Sequence, residues 1–532
     1  MLGRRRGQLT LADMDRWYEK IAANSWYRRM RSWSNANLSD DAFTEWYSPI
    51  GRPSIPPSYM VTLTLIQLRQ GWSDREVVDE AYFDDRVKFA LGVGRVPEIT
   101  CDHSTVCKYR KRFFESELGR QMLGYTLGSA ADAGVLEDDE DLVDSLPVAG
   151  AVPRQGTYVL IYRAIGRVLA EAAEAHCAVP ELRRDDYGQR RKPGITWGQE
   201  AARRGLLEDL VADGRQLVAS LGSGEHPPSL SQAVDLLRLV VEQDITTDGQ
   251  GRVEIARATA RDRVISVTDP DMRHGRKTSS QKYNGYKGHV LVQNVTSDKP
   301  RLVTATKATA ANVPDGDVVA ELVELRRELT GKAPEQVMGD TSYGSMEVRD
   351  RVAEVAPETR VEAPVPPVSS AQGRFSKVDF QIDTEAHTVT CPAGHTVDYQ
   401  PKKDIDGHKR SQQVHFPDDM CANCPLRGSC VKGNKGRTVT VRFDEVRMQA
   451  ERARQQDPEW QSHYRERSRV EHVNARLAQH GGRRARARGL LRLDWQLAMA
   501  AALHNIEELT RVLGSAWRPK GVFRPHCAQM AQ

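Results

Sequence analysis

The spacing of apolar residues predicts helices over residues 10–130. The segments "PPSYMVTLTLIQLRQ" and "SDREVVDEAYFDDRVKFALG" repeat apolar residues at intervals of three and four, which is typical of amphipathic helices. Ser73 and Asp74 mark the start of the second segment. A third helix is predicted in "TCDHSTVCKYRKRFFESELGRQML", where Asp102 or Ser104 supplies the cap. The first part of the chain is therefore expected to be helical.

The pattern changes after residue 136, where strands and helices alternate. "EDLVDSLPVAGA" predicts a short strand that ends at Asp144, and residues 155–243 again have a helical pattern. The runs "RVISVTD", "YKGHVLVQNV" and "RLVTATKA" are rich in β-branched residues and predict neighbouring strands of one sheet. The helix "DGDVVAELVELRREL" separates them from a short strand, "EQVMGD". This alternation predicts a mixed α/β core.

The remaining chain divides into a cysteine-bearing segment and a helical tail. A proline-rich connector, "EVAPETRVEAPVPPVSSAQG", precedes the cysteine-bearing segment, which runs to about residue 440, and residues 443–514 have a helical pattern. At 532 residues, the chain is long enough for about three or four folding units.

Composition is typical of a globular protein with a highly charged surface. Hydrophobic residues make up 39% of the chain and charged residues 28%, which argues against disorder. The sequence has no run of eighteen uncharged apolar residues, and its beginning lacks the apolar region of a secretion signal. We therefore expect a cytoplasmic protein with no membrane partner.

Charge is unevenly distributed along the chain. The 76 Lys and Arg residues nearly balance the 72 Asp and Glu residues, so the net charge is only +4. Acidic residues gather at 137–144, and basic residues gather at 183–192, 273–277 and 480–492. These clusters indicate a polyanion-binding surface beside an acidic centre, and solvated helix faces are the alternative.

Three acidic residues could together hold a divalent cation. Asp144 and Asp340 each follow a predicted strand, although Asp340, in "GDTSYGS", could also cap the helix "SMEVRDRVAEVA". Near the other end of the chain, Tyr464, Arg467 and Glu471 are spaced by three and four, which places them on one helix face. Acids supplied by separate elements are suited to binding magnesium.

The motifs around these acids resemble those of the DDE transposases of bacterial insertion sequences, a group with an RNase H-like fold and a Tyr-x-x-Arg-x-x-x-Glu signature. "LVDSLPV", "DRVISVTDPDMRHGRKTSSQKYNGYKGHV", "MGDTSYGS" and "YRERSRVEHVNARL…GGRRARARGL" match the segments of that family in order. The resemblance extends from about residue 50 to residue 512.

The resemblance implies a catalytic triad of Asp144, Asp340 and Glu471, with Tyr464 and Arg467 supporting the last acid. It also implies Mg²⁺ or Mn²⁺ as cofactor, with two ions about 4 Å apart. The expected partners are double-stranded DNA, as element ends and target, and a second copy of the chain as a homodimer on paired ends. If one acid lies elsewhere, the next candidates are Asp262, Asp269 and Asp271. The three acids are expected to converge within about 10 Å.

Several other residues are expected to serve this site. Gly339 and Gly344 would allow the backbone to approach the metal closely. Lys287 and His289 alternate on a strand and would face one side, either toward the active site or as core or edge positions. The family often has a basic residue seven positions beyond the Glu, where this chain has Ala478, and Arg476 or His480 could replace it.

Two basic groups are predicted to contact DNA. Short helices that end in a basic one resemble a helix-turn-helix arrangement, and the basic helix carries Lys108, Arg110 and Lys111. Near the other end of the chain, arginines that could neutralise DNA phosphates are Arg483, Arg484, Arg486 and Arg488.

Cysteines predict a structural zinc site. Cys391, Cys421, Cys424 and Cys430 fall within one stretch of forty residues, and a C-x-x-C pair with two nearby sulfurs is typical of structural Zn²⁺ sites. His395 could replace one thiolate, and a loop without metal is the alternative.

These patterns and the resemblance together predict a domain organisation. We expect an N-terminal helical, DNA-binding domain (1–135), an RNase H-like core (136–345) with a helical insertion at about 155–243, and an inserted zinc-binding segment (346–442). C-terminal helices (443–515) would complete the core, followed by a tail (516–532).

The expected function is that of a transposase that cleaves DNA at the ends of its element and joins them to target DNA. Two alternatives stay open: a domesticated, non-mobile DNA-binding protein, and a nuclease of the same fold.

Overall fold

The helices of the protein occur in three groups, before, within and after the main sheet. The computed structural model describes residues 17–94, 99, 101–188, 192–278, 280–367, 373–400, 411–514 and 519–525. The helices in these ranges are α1 (Trp26–Asn37), α2 (Pro57–Gln70), α3 (Asp74–Phe83), α4 (Asp85–Leu91), α5 (His103–Glu115), α6 (Leu118–Asp132), α7 (Thr157–Glu174), α8 (Glu200–Leu221), α9 (Pro228–Asp244), α10 (Val319–Thr330), α11 (Met346–Val355), α12 (Asp418–Ala422), α13 (Glu445–Arg454), α14 (Pro458–Tyr464), α15 (Arg469–Leu477) and α16 (Leu490–Val512).

The strands form one mixed sheet and smaller antiparallel sheets. They are β1 (Glu140–Ala149), β2 (Ile245–Thr247), β3 (Val253–Ile255), β4 (Arg273–Arg276), β5 (Lys282–Gln293), β6 (Val303–Ala310), β7 (Gln336–Met338), β8 (Arg360–Glu362), β9 (Gln381–Asp383), β10 (Thr388–Thr390), β11 (Thr396–Asp398), β12 (Gln412–His415) and β13 (Thr438–Val441). The main sheet has the order β4-β5-β1-β7-β8, and β6 also pairs with β5. β1 is antiparallel to β5 and parallel to β7, which is parallel to β8. The predicted mixed α/β architecture is confirmed.

Helix starts in the first group follow the capping signals in the sequence. The Ser73 hydroxyl accepts a hydrogen bond from the Glu76 amide, and the Glu76 carboxylate accepts one from the Ser73 amide, which forms a complete capping box. Asp102 rather than Ser104 is the cap of α5, since its carboxylate accepts a hydrogen bond from the Thr105 amide at 2.7 Å. Local polar chemistry therefore fixes where these helices begin.

Two of the strand predictions are wrong in detail. The run 263–269 forms no strand, because side chains bond its backbone: Gln243 bonds both the amide and the carbonyl of Val264, and the Gln155 side chain accepts from the Val267 amide. The predicted end of a strand at Asp144 is also wrong. β1 continues to Ala149, because its backbone pairs with β5 over the whole of that length.

One large apolar core joins the two ends of the chain to the sheet. It contains residues of α1–α6, one face of β1 and β5, and most of α16. Polar contacts reinforce this packing, since Arg69 of α2 pairs with Glu507 of α16 at 2.8 Å. The helices before the sheet therefore pack together with those after it.

Separate cores lie in the two inserted segments. α7, α8 and α9 pack around one apolar cluster, and the cysteine-bearing segment has another that contains Phe380, Val389 and Phe416. No helix in the described part of the chain is long and apolar enough to cross a membrane.

Candidate active site

Asp144 lies in the middle of β1, where α15 crosses the strand. The Asn474 side chain on α15 donates a hydrogen bond to Asp144 Oδ2 at 2.9 Å. Because Glu471 precedes Asn474 by three residues on the same helix, the two side chains lie on neighbouring positions of one face. The sheet and the C-terminal helices therefore meet at Asp144.

Burial makes Asp144 hard to ionise. The pKa of its carboxyl group is raised to about 6, chiefly by desolvation; the negative charges of Asp340 and Asp315 add to the increase, and the Ser145 amide and the Arg467 guanidinium oppose it. β1 and β7 are parallel and pair at Leu142 and Met338, so Asp144 and Asp340 each lie two residues beyond that pair. The first two predicted acids are therefore brought together.

Asp340 caps a short 3₁₀ turn, Thr341–Tyr343, directly after β7. Its Oδ1 atom accepts a hydrogen bond from the Ser342 amide at 2.8 Å. Asp340 is thus a cap, but of this short turn and not of the helix "SMEVRDRVAEVA" that follows it. Ser345 caps that helix, α11, instead. Capping uses Oδ1 and is compatible with a second role for the carboxylate.

Arg467 connects the predicted signature residues to the buried acids. Its guanidinium lies 3.8 Å from Glu471 Oε1. It also interacts with the Tyr464 hydroxyl: desolvation raises the pKa of that hydroxyl, and the hydrogen bond and charge of Arg467 partly oppose the increase. Tyr464, Arg467 and Glu471 do not lie on one regular helix, because a 3₁₀ turn at Arg465–Ser468 joins α14 to α15, but Arg467 interacts with both of the others. The Glu471 side chain is 65% exposed. Glu471 therefore lies at the open side of the site.

The donors are suited to a hard cation, but they are not arranged as a closed metal site. Within the described ranges, no group of three or more His, Cys, Asp or Glu residues could hold a metal ion. Asp144 and Asp340 offer carboxylate oxygens, which Mg²⁺ prefers, and their mutual repulsion is the kind of strain that a cation relieves. The chemistry of these residues fits a divalent metal.

Asp315 belongs to this site and was missed by the sequence analysis. It accepts a hydrogen bond from the Lys287 ammonium at 2.8 Å, and His289 Nδ1 lies 4.0 Å from the same carboxylate. Lys287 and His289 therefore face one side, as predicted. In "NVPDGDVV" this Asp has the pattern of a turn before a helix, so its sequence carries no signal of chemistry.

His289 is buried and neutral. Its Nε2 atom lies 2.8 Å from the Thr309 hydroxyl, and desolvation lowers the pKa of the imidazole to about 4. In the strand register, Ser145 is opposite His289 and Asp144 is opposite Val290, so Asp144 and His289 lie on opposite faces of the sheet. Asp315 contacts the face that carries Lys287 and His289.

The two glycines near Asp340 have a different role from the one expected. A Cβ atom at Gly344 would lie 1.8 Å from the Pro364 carbonyl oxygen, and one at Gly339 would lie 2.7 Å from a methyl of Val143. Both glycines are thus required by close packing against the protein itself. The expectation that they admit a metal is corrected accordingly.

Two of the seven predicted DNA-contact residues are occupied inside the protein. Arg486 is largely buried and donates a hydrogen bond to the Trp72 carbonyl at 2.6 Å, and Arg110 pairs with Asp74. We correct their expected role to docking of elements within the fold. Residues of these two groups with exposed side chains are Arg483, Arg484, Arg488, Lys108 and Lys111.

Arg476 and His480, which were expected to replace the basic residue that the family often has at the position of Ala478, both have partners within the fold. Arg476 pairs with Glu507 at 3.2 Å, and His480 lies 3.4 Å from the same carboxylate. His480 is also buried, and desolvation lowers the pKa of its imidazole to about 4. The expectation that one of them supplies a DNA contact is corrected, because both stabilise α16.

The three reserve acids each have a structural partner. Asp262 pairs with Arg273 at 2.7 Å, Asp269 accepts a hydrogen bond from the Tyr286 hydroxyl, and Asp271 accepts one from the Leu490 amide. These contacts explain the three residues without a role in catalysis.

The four cysteines of the inserted segment surround one small cavity. Cys391, Cys421, Cys424 and Cys430 line a space of about 20 Å³ together with His395. All four thiols are free, and burial raises the pKa of Cys430, with smaller contributions from the other three. As noted above, the described residues contain no group that could already hold a metal.

Two family models match the chain. A transposase DDE domain matches residues 390–510, and a transposase domain (DUF772) matches residues 15–112. Both models describe transposase domains, so these two segments of the chain are similar to transposases. The first match, together with the second, confirms its resemblance to the DDE transposases of insertion sequences.

These matches cover part of the candidate site. Residues 390–510 include Glu471 and the four clustered cysteines, whereas Asp144 and Asp340 lie outside both matches. No curated protein and no solved structure matches the chain.

Replacement of Asp144 by Asn is expected to stabilise the protein at neutral pH. A pKa raised from 3.8 to about 6 means that ionisation opposes folding, so stability is lost as the pH rises through this range. Asp144→Asn should gain up to about 3 kcal/mol at pH 7 and nothing near pH 3. Urea unfolding at both pH values measures the difference, with the exposed Asp139→Asn as control. An equal effect of Asp144→Asn at both pH values would contradict the burial effect.

Proposed function

We propose that this protein binds the ends of an insertion sequence and catalyses metal-dependent DNA cleavage and strand transfer. The contacts between α15 and the sheet support the proposal: Asn474 donates a hydrogen bond to Asp144, and the charge of Arg467, which lies 3.8 Å from Glu471, acts on Asp144. The DDE match supports the use of a divalent metal and a nucleolytic activity.

An RNase H-like core is part of the proposal. Five strands of the main sheet lie side by side in the order β6-β5-β1-β7-β8. In chain order these are strands three, two, one, four and five of the core. Neighbours among the first three are antiparallel, and the fourth and fifth are parallel to the first. We propose the predicted domain organisation with one change, which concerns the independence of the N-terminal unit. The N-terminal unit shares its apolar core with the sheet and α16 and is not an independent body.

The residues of the site have distinct roles in the proposed reaction. Asp144, Asp340 and Glu471 would hold Mg²⁺ or Mn²⁺. When bound, such ions activate the attacking oxygen and stabilise the leaving oxygen of a phosphodiester. Arg467 holds Glu471 toward the site and places positive charge where phosphate would enter.

Lys287 and Asp315 form a supporting pair. The Lys287 ammonium is held between Asp315 and the Val313 carbonyl, at 2.8 and 2.7 Å. This fixes the negative charge of Asp315 beside Asp144 and keeps Lys287 from moving freely to DNA. We therefore propose that Lys287 positions the acids and does not contact phosphate.

The experiment that tests the function is cleavage of DNA fragments carrying the ends of the element. The purified chain with Mg²⁺ should release 3′-hydroxyl ends and join them to a second DNA. Cleavage without joining would favour the nuclease, and binding without cleavage would favour the domesticated DNA-binding protein. Cross-linking of the DNA-bound protein tests the proposed dimer on paired ends.

We also propose structural zinc in the cysteine-lined cavity. The four thiols and His395 line one cavity large enough for a single ion or water molecule, and thiolate and imidazole are typical ligands of Zn²⁺. Zinc there would stabilise the small lobe and take no part in catalysis.

Purified protein is expected to contain one zinc per chain, and Cys424→Ser should lower that content and the stability of the lobe. Elemental analysis of protein prepared without chelator measures it. Cys107→Ser, which changes an exposed thiol on α5, is the matched control. Absence of zinc from the wild-type protein would refute the proposal.

A further inference from the structure

A cleft of about 570 Å³ lies in the N-terminal helical region, far along the chain from the predicted acids. One side is formed by the segment 46–55 and the other by α5. The lining includes three aromatic side chains, those of Trp46, Tyr47 and Tyr109. This volume lies within the usual range of pockets for small organic groups.

The cleft is also basic. Arg52, Lys108 and Arg112 line it, and no acidic residue is part of its wall. In the described part of the chain, none of these three cations forms an ion pair, whereas Lys111 on the same helix pairs with Glu115 at 3.6 Å. Lys108 and Arg112 are four residues apart, so both lie on one face of α5. The cleft therefore presents uncompensated positive charge.

Planar groups are already stacked at this site. The Arg112 guanidinium lies 4.9 Å from the centre of the Tyr47 ring, and the buried indole nitrogen of Trp46 has no hydrogen-bond partner among the residues described. Unpaired bases stack on aromatic rings and on guanidinium planes. These features are suited to a nucleobase with its phosphate.

An exposed apolar residue lies at the tip of the adjoining segment. Ile50 is 81% exposed, between Pro49 and Gly51, and Gly51 has a φ of 121° that favours glycine. The Ile50 amide donates a hydrogen bond to the Ser48 hydroxyl at 3.2 Å, and its side chain projects into solvent from this bend. Apolar side chains of this kind can act as wedges between base pairs.

We propose that this cleft binds a single unpaired nucleotide of the DNA, with Ile50 occupying the space that the base leaves in the duplex. The base would stack on the aromatic and guanidinium groups, and Arg52 and Lys108 would bind the flanking phosphates. This inference rests on the proposed DNA-binding function and adds a recognition site to it. It assigns a role to the N-terminal transposase domain.

Fluorescence anisotropy of the full chain with two labelled duplexes tests the proposal. One duplex is fully paired, and the other has the same sequence with one bulged adenine. The wild type should bind the bulged duplex about tenfold more tightly, because stacking is gained without the cost of opening a pair. Arg112→Ala should remove this preference. Arg204→Ala, which changes an exposed arginine on α8 outside the cleft, should retain it.

Ile50→Ser separates the wedge from the pocket. Because Ile50 is exposed, the change should leave the fold intact, weaken binding of the paired duplex and spare the bulged one. Equal affinity of the wild type for both duplexes would overturn the pocket proposal, and so would an Arg112→Ala variant that behaves like Arg204→Ala. If the wild type also cleaves element ends, only the pocket is refuted. If it binds neither duplex, the proposed function fails as well.

Discussion

Asp144→Asn, Asp340→Asn and Glu471→Gln are each expected to lower Mg²⁺-dependent strand cleavage by about a thousandfold or more. Each change removes a charged oxygen ligand and retains the size of the side chain. Asn474 can still bond the amide at position 144, so the packing of α15 on β1 should persist. Gel analysis of end-labelled DNA measures cleavage.

Binding separates a catalytic defect from a folding defect. All three variants should bind element ends with nearly unchanged affinity, and Asp139→Asn should cleave like the wild type. Cleavage at the wild-type rate by any one of the three would remove that residue from the site. Because Glu471 is the most exposed of the three, its variant is the strictest test of the triad.

Arg326→Met is expected to destabilise the protein by about 3–5 kcal/mol. Arg326 is fully buried on α10, donates to Asp138 at 2.8 Å and lies 3.5 Å from Asp141, which is also fully buried. Without its cation, Asp141 would be left as an uncompensated buried charge in β1. Urea unfolding measures the loss, and a second change, Asp141→Asn, should restore part of it.

A surface pair gives the matched control. Arg204 pairs with Glu200 on α8, and both side chains are largely exposed, so Arg204→Met should cost less than about 1 kcal/mol. An equal loss in the two Arg variants would show that burial of Arg326 does not determine its contribution.

The sequence was informative wherever local chemistry determines structure. Apolar periodicity located α2, α3 and α10, and polar caps located the start of α3. The acid in "GDTSYGS" was recognised because small turn-forming residues follow a short strand. The Tyr464–Arg467–Glu471 spacing predicted a shared helix face, and Arg467 does interact with the other two, although a 3₁₀ turn interrupts the helix.

Long-range contacts explain what the sequence could not reveal. The pairing that carries β1 past Asp144 is made by a strand about 140 residues away. Arg486 and Arg110 resemble surface arginines in sequence, and only the packed helices show that their guanidinium groups are occupied inside the fold. Asp315 became part of the site only when Lys287 and Asp144 were brought beside it.

The common core of α2, α6 and α16 has a consequence for synthesis of the chain. The apolar face of α6 lacks its main partner, and that of α2 lacks one of its partners, until α16, more than 350 residues later, has left the ribosome. The N-terminal helices therefore complete their packing only when translation is nearly finished. A polypeptide that is abandoned early would expose these faces to chaperones and proteases, and it would not persist as a folded competitor for the DNA ends.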